Sequence, residues 1–256
     1  MARVFITGSS DGLGLAAAQS LQRDGYEVVL HARSKDRAAE PLAALTGGAD
    51  VVIGDLASQK ETRSIAEQVN ALGPMDAVIH NAGIYTTPDR GSTPEGHATV
   101  LAVNTLAPYI LTALIDRPRR LVFLSSGLHR GGEGSLEDLD WTARKWDAAQ
   151  AYAESKLHVA AIAAALARRW PAVLSNAVDP GWVRTRMGGR SAPVDLATGQ
   201  RTQSWLAVNE EARARFSGGY WHNLAQQQPA GEVTDIDFQD RLLSKLHDLT
   251  GVALSA

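Results

Sequence analysis

Short apolar runs of strand length alternate along this chain with longer stretches of helical period, the pattern of a parallel sheet joined by crossover helices. Strands are expected over residues 3–6, 27–31, 50–53, 76–80, 120–124, 173–178 and 219–222. Most are apolar or β-branched at every position, as in strands covered on both faces. Helices are expected over 13–24, 60–72, 97–115, 150–169 and 195–208, with a last amphipathic stretch at 237–249. Gly25, Gly73-Pro74 and Gly251 punctuate three of them. The expected class is α/β, a doubly wound parallel sheet of about seven strands with helices on both faces. Residues 129–147, with Trp141 and Trp146, and 184–193 read as weakly structured segments that could flank a pocket.

Composition narrows the function classes. A chain of 256 residues, 45% hydrophobic and without repeat or linker, is expected to form a single domain over 1–256. The net charge of -3 and the lack of a Lys/Arg block argue against nucleic acid as a partner. With no cysteine there is no thiolate nucleophile, and seven scattered histidines show no metal-ligand spacing, so no metal is expected. No apolar stretch reaches the roughly 18 residues that cross a bilayer. The chain also runs from Met1 almost directly into Val4-Phe5-Ile6, which leaves no room for a leader. A cytoplasmic protein that binds no membrane is the expectation.

The first strand leads into Thr7-Gly8-Ser9-Ser10-Asp11-Gly12-Leu13-Gly14. Glycines at this place let the backbone turn sharply, approach a ligand and pack the next helix on the sheet, whose N-terminus then faces a pyrophosphate. This is the pattern of a Rossmann-type dinucleotide site. The same stretch also matches G-x-S-x-G, which would make Ser10 a hydrolase nucleophile. That elbow takes an oxyanion-hole amide from a loop after an earlier strand, and only one strand precedes Ser10. At the end of the second strand stand Ala32-Arg33, where such folds read the adenosine ribose. Ala32 supplies no acid for the ribose hydroxyls, whereas Arg33 can hold a 2′-phosphate, so NADP(H) is favoured over NAD(H).

Tyr152 and Lys156 are four apart in a helical segment and share a face, and Ser125-Ser126 end a strand where a parallel sheet opens its site. Bringing a tyrosine from near pH 10 to 7 takes roughly 3 units, about 4 kcal/mol. A fixed ammonium about 4 Å away in an effective dielectric near 20 supplies roughly that amount. Tyr152 is then expected to trade a proton with a carbonyl oxygen or an alcohol that Ser126 holds, as hydride passes to or from a nicotinamide.

These motifs together resemble the short-chain dehydrogenase/reductase family over nearly the whole chain. The likeness rests on the TGxxxGxG turn, the Tyr152/Lys156 pair and Asp55-Leu56 after the third strand. It extends to Asn81-Ala82-Gly83 after the fourth strand, Val103-Asn104, and Pro180-Gly181-Trp182-Val183-Arg184-Thr185 after the sixth. It implies a catalytic set of Asn104, Ser126, Tyr152 and Lys156. It also implies a cofactor set of Gly8, Ser10, Gly12, Leu13, Gly14, Arg33, Asp55, Leu56, Asn81, Ala82, Gly83, Tyr152, Lys156, Pro180, Gly181, Val183 and Thr185. By the family's pattern Asp55-Leu56 serve the adenine, Asn104 holds a water near the lysine, Lys156 bonds the nicotinamide ribose, and Val183 with Thr185 anchors the carboxamide.

Four features depart from that pattern. His80 replaces the first Asn of the NNAG motif, Asp179 precedes the Pro-Gly turn, and Asp11 sits where some NADP-preferring members carry a base. The 26 positions from Ser126 to Tyr152 exceed the usual interval, and the extra segment with His129-Arg130-Gly131-Gly132 is similar to the retinol-dehydrogenase-like branch, here without a membrane anchor. His80 and Asp179 are read as tuning packing, and Trp182 as a pocket wall. The resemblance implies a small carbonyl or alcohol substrate and, as in many members, a homodimer or homotetramer. Two other functions remain open on the sequence, a non-catalytic dinucleotide sensor and an epimerase or dehydratase that retains NAD.

Overall fold

The computed structural model describes residues 2–43, 45, 48–85 and 88–255, without the side chains of 40–43. Its first half runs β1 Arg3–Ile6, α1 Gly12–Arg23, β2 Glu27–Ala32, α2 Lys35–Ala43, β3 Asp50–Ile53, α3 Gln59–Ala71 and β4 Ala77–His80. After a long connection come α4 Thr99–Leu101, a π-helical turn Ala102–Leu106, α5 Ala107–Leu114 and β5 Arg120–Leu124. A 3₁₀ turn Gly127–Gly131 leads to α6 Ala148–Arg169 and β6 Leu174–Asp179, followed by α7 Leu196–Val208, β7 Tyr220–His222 and β8 Ala225–Gln227. Helices α8 Gly231–Thr234 and α9 Ile236–Thr250 close the chain.

The strands form one sheet in the order β3-β2-β1-β4-β5-β6-β7-β8, parallel throughout except for β8, which pairs antiparallel to β7. Strand order reverses between β1 and β4, the place where a sheet of this kind binds ligands, beyond the carboxyl ends of its strands. Side chains alternate between two apolar layers. Phe5, Val29, Val78, Leu121 and Phe123 join the cluster that includes residues of α3, α5, α6 and α9. Val4, Ile6, Leu30, Ile79, Val122 and Leu124 join the one with α1 and α7. Strands buried on both faces show no polar alternation, which is why each reads as a continuous apolar run.

Several expectations need correction. The sheet has eight strands rather than about seven, because β8 reads Ala225-Gln226-Gln227, exposed and polar, and carries no hydrophobic signal. Helices α2 and α8 were not expected either. The helix expected over 97–115 is broken by the π turn, which sets Asn104 inside the fold with 1% of its surface exposed.

Residues 129–147 are not weakly structured. The Asp138 carboxylate accepts bonds from the backbone N–H groups of Thr142, Ala143 and Arg144. Leu136, Leu139 and Trp141 are buried, and Trp141 meets Trp146 edge to face at 5.5 Å. Arg144 then locks the segment to α6 through a two-pronged pair with the buried Glu154 at 2.8 Å. Among the described residues no helix is long and apolar enough to cross a membrane.

Candidate active site

The turn after β1 closes onto the ends of β2 and β4. Gly8 has φ +63°, and a Cβ there would sit 2.9 Å from the Ala82 Cα, so only glycine allows this approach. A Cβ on Gly14 would meet the Asn81 Nδ2 at 2.5 Å and the Gly8 carbonyl at 2.6 Å, hence the tight seat of α1 on the sheet. Thr7 Oγ1 accepts from the Ala82 N–H at 3.0 Å, and Asn81 Nδ2 donates to the Thr7 carbonyl at 2.9 Å. From β2, His31 Nδ1 accepts the Gly8 N–H and its Nε2 donates to the Gly54 carbonyl, both at 2.9 Å. Burial holds the His31 pKa below its ordinary value and keeps the ring in the neutral form that this bonding requires.

The loop after β6 folds over the same turn. A Cβ on Gly12 would touch Thr185 Cγ2 at 3.7 Å. The buried Val183 packs on Gly199 of α7, which Leu13 Cδ1 also reaches. Pro180 and Gly181 make the bend, with Gly181 at φ +79°. Asp11, which breaks the family's charge pattern, pairs with Arg37 at 2.9 Å and lies 3.5 Å from Arg186, so it bridges α2 to this loop. Arg33 is exposed at the tip of β2, and Ala32 beside it is buried. Asp55 caps its own turn by accepting from the Ala57 N–H. Leu56 is buried in the core, so only its backbone can face a ligand.

These groups fit a dinucleotide. Asp11, the N-cap of α1, makes no side-chain cap bond, so the first-turn amides remain available to an anion. Asn81 Oδ1 is a buried acceptor without a partner among the described residues, at the mouth of the same turn. Ser10 is half-buried there, and among the described residues no histidine bonds its hydroxyl, which leaves a hydrolase nucleophile without a base.

The second half of the site converges on α6. Lys156, almost wholly buried, donates to the Leu124 carbonyl at 2.8 Å. Its Nζ lies 5.6 Å from the Tyr152 ring centre, so the two side chains share a face as their spacing predicts. Gly83 comes close to both Lys156 and Asn104, since a Cβ there would stand 3.2 Å from Nζ and 3.4 Å from Oδ1. Asn104 clamps both backbone groups of Ile84, at 2.8 and 2.9 Å, and donates to Ser155 Oγ at 3.0 Å. Tyr85 meets the Tyr152 ring edge-on at 4.6 Å.

Ser126 caps the 3₁₀ turn, accepting from the Leu128 N–H, and its side chain acts on the Tyr152 phenol as a near neighbour. Ser125 points inward instead and donates to the Lys156 carbonyl at 2.8 Å. His129, fully buried, donates from Nδ1 to the Ser126 carbonyl at 2.7 Å and accepts the Ala230 N–H at Nε2.

One electrostatic expectation is overturned. Burial pushes the Tyr152 phenol up to about 12, against the downward pull of the nearby Ser126 side chain. Burial also brings Lys156 down to about 8. Desolvation by burial sets the direction of the phenol's shift in the free protein. Tyr152 therefore keeps its proton at pH 7.

A family model described as Enoyl-(Acyl carrier protein) reductase matches residues 8–215. The chain belongs to the short-chain dehydrogenase/reductase family of oxidoreductases. Short-chain dehydrogenase chyC of Penicillium rubens is 39% identical over 260 residues, which cover 100% of each chain. Human retinol dehydrogenase 13 is 30% identical, covering 97% of this chain and 84% of its own, in keeping with the branch that the segment after Ser126 resembles. The crystal structure of an uncharacterized Mycobacterium paratuberculosis protein superposes with a TM-score of 0.86 at 26% identity, covering 100% of this chain and 96% of that one.

Sequence reasoning missed the supports of this short-chain dehydrogenase/reductase site. His31, Ser155, His129 and Tyr85 lie at strand ends or beside motif residues, and that proximity was the only signal they gave. The suggested pocket wall Trp182 is 57% exposed, its indole N–H bonded to the Gly188 carbonyl at 2.8 Å.

Proposed function

We propose that the protein is an NADP(H)-dependent oxidoreductase that interconverts a carbonyl compound and an alcohol, with Tyr152 as general acid/base. The observation that carries this reading is the meeting of Ser126, Tyr152 and Lys156 beside a glycine turn whose helix amides are free. A bound nicotinamide dinucleotide would supply or accept the hydride, with its pyrophosphate at Gly8, Ser10, Gly12 and Leu13 and its 2′-phosphate at Arg33. The chain's own part is the proton. Held protonated at pH 7, Tyr152 donates to the substrate oxygen while Ser126 fixes that oxygen in place. Lys156 stabilises the phenolate left behind, and Asn104 keeps Gly83-Ile84 packed over the ammonium.

Incubating the protein with NADPH and a panel of ketones and aldehydes tests the reading. Consumption of NADPH that depends on the carbonyl compound is expected, and none with any compound would leave a dinucleotide sensor. Arg33→Ala is expected to weaken NADPH by about tenfold and NADH little, because one charge-assisted phosphate contact is lost. Equal losses for both would contradict the phosphate role.

A further inference from the structure

Asp179 ends β6 directly beside the end of β5 that delivers Ser126. Leu124 pairs with Val178 in the sheet, and the Ser125 N–H donates to the Val178 carbonyl at 2.7 Å, so Asp179 faces the Ser125-Ser126-Gly127 bend. One carboxylate oxygen accepts the Gly181 N–H at 2.9 Å. The other approaches Gly127, where a Cβ would stand 3.1 Å away. The side chain is 16% exposed, and among the described residues no Lys or Arg lies within ion-pair distance of it. The titratable groups around it are Tyr152, Tyr220, His129 and His222, the last with Nδ1 3.7 Å from the carboxylate. Arg130, the nearby cation, is directed to the Gln228 carbonyl.

Around this charge the rim is apolar. Leu128, which follows Gly127, is 51% exposed, Trp182, which follows Gly181, is 57% exposed, and Met187 on the same loop is 46% exposed. Exposed apolar groups beside a cleft mark a binding surface for apolar matter. A carboxylate at such a rim, short of partners, favours a donor or a cation and repels an anion.

We propose that Asp179 is a specificity-determining residue, selecting carbonyl substrates with an apolar body and a hydrogen-bond donor or positive charge, and rejecting anionic ones. This rests on the proposed function, and deepens it by giving the class of substrate. It also revises the sequence reading of Asp179 as a packing adjustment.

Three aldehydes of matched shape test it: 4-formylbenzoate, its methyl ester and (4-formylbenzyl)trimethylammonium. Each is reduced with NADPH by the unaltered protein and by Asp179→Asn. The unaltered protein is expected to prefer ester over carboxylate by about tenfold in kcat/KM, the effect of a unit charge about 10 Å away in a dielectric near 20, and to take the cation at least as well as the ester. In Asp179→Asn the ester-to-carboxylate ratio is expected to fall to about threefold or less. A wild-type protein indifferent to charge, or a variant that keeps the preference, overturns the assignment. Should Asp179→Asn not fold, the salt dependence of the wild-type ratio decides. Shrinkage of the preference between about 20 mM and about 500 mM salt supports a fixed charge at the rim, and a constant ratio contradicts it. If neither these aldehydes nor any compound of the carbonyl panel is reduced, the proposed function itself fails; if the panel reacts and none of these three does, the class of substrate assigned here is overturned, and both outcomes are distinct from reduction without charge preference.

Discussion

Lys156 is a cation buried at the proposed site at the expense of stability. Its ammonium sits in the core against the Leu124 carbonyl, with a pKa brought down to about 8 by burial. Because the unfolded lysine titrates near 10.4, the folded state is destabilised by about 3 kcal/mol below pH 8, and that loss is recovered as pH rises from 8 to 10.4. Lys156→Met should therefore raise stability at pH 7 by on the order of 1–3 kcal/mol in urea denaturation while lowering turnover, and a less stable variant would contradict it. In the active protein, kcat/KM for carbonyl reduction should fall as pH passes about 8 and the ammonium discharges. Tyr152, up at about 12, still holds its proton there. The spacing of Tyr152 and Lys156 made their shared face legible in the sequence. Their electrostatics were not, because desolvation depends on what covers a group and no motif records that.

At the scale of elements, α6 gathers the site because other parts of the chain hold it from every side. Ser125 of the β5 end bonds its backbone, the 3₁₀ turn packs against it, and Arg144 reaches across from the preceding segment to its buried Glu154. Removing the half-buried Arg144 strands the charge of the buried Glu154. Arg144→Met should thus cost about 3–5 kcal/mol, and adding Glu154→Gln should restore much of the loss. Additive losses in urea denaturation would show that the pair is not coupled. Here the sequence was misleading. Glycine and acid in 129–147 suggested looseness, yet Asp138 spends its carboxylate on three backbone donors and Trp141 fills the space beneath. The π turn at Asn104 was equally invisible, since its residues Ala102–Leu106 read as ordinary helix.

For the molecule as a whole, the parallel sheet was legible because its strands are apolar on both faces, whereas β8 escaped notice as a short polar strand at the edge. The same two-sided burial places His80 and His158 where they cannot ionise. Burial brings His80 down to about 3 and His158 to about 4. Unfolded histidines titrate near 6.5, so between pH 6.5 and the folded values the unfolded chain binds more protons and stability falls with pH. From pH 6.5 to 5 the two together should cost about 3 kcal/mol. Denaturation midpoints that do not move over that interval would contradict this.

The central claim is that Tyr152 passes the proton in a dinucleotide-dependent carbonyl reduction. The most direct measurement compares wild type and Tyr152→Phe in steady-state NADPH oxidation with one aldehyde that the wild type reduces, NADPH affinity being followed by nucleotide fluorescence. Tyr152→Phe is expected to lower kcat/KM by about 10²–10⁴ with NADPH binding within about threefold of wild type. A Tyr152→Phe protein that binds NADPH and reduces the aldehyde at the wild-type rate would contradict it.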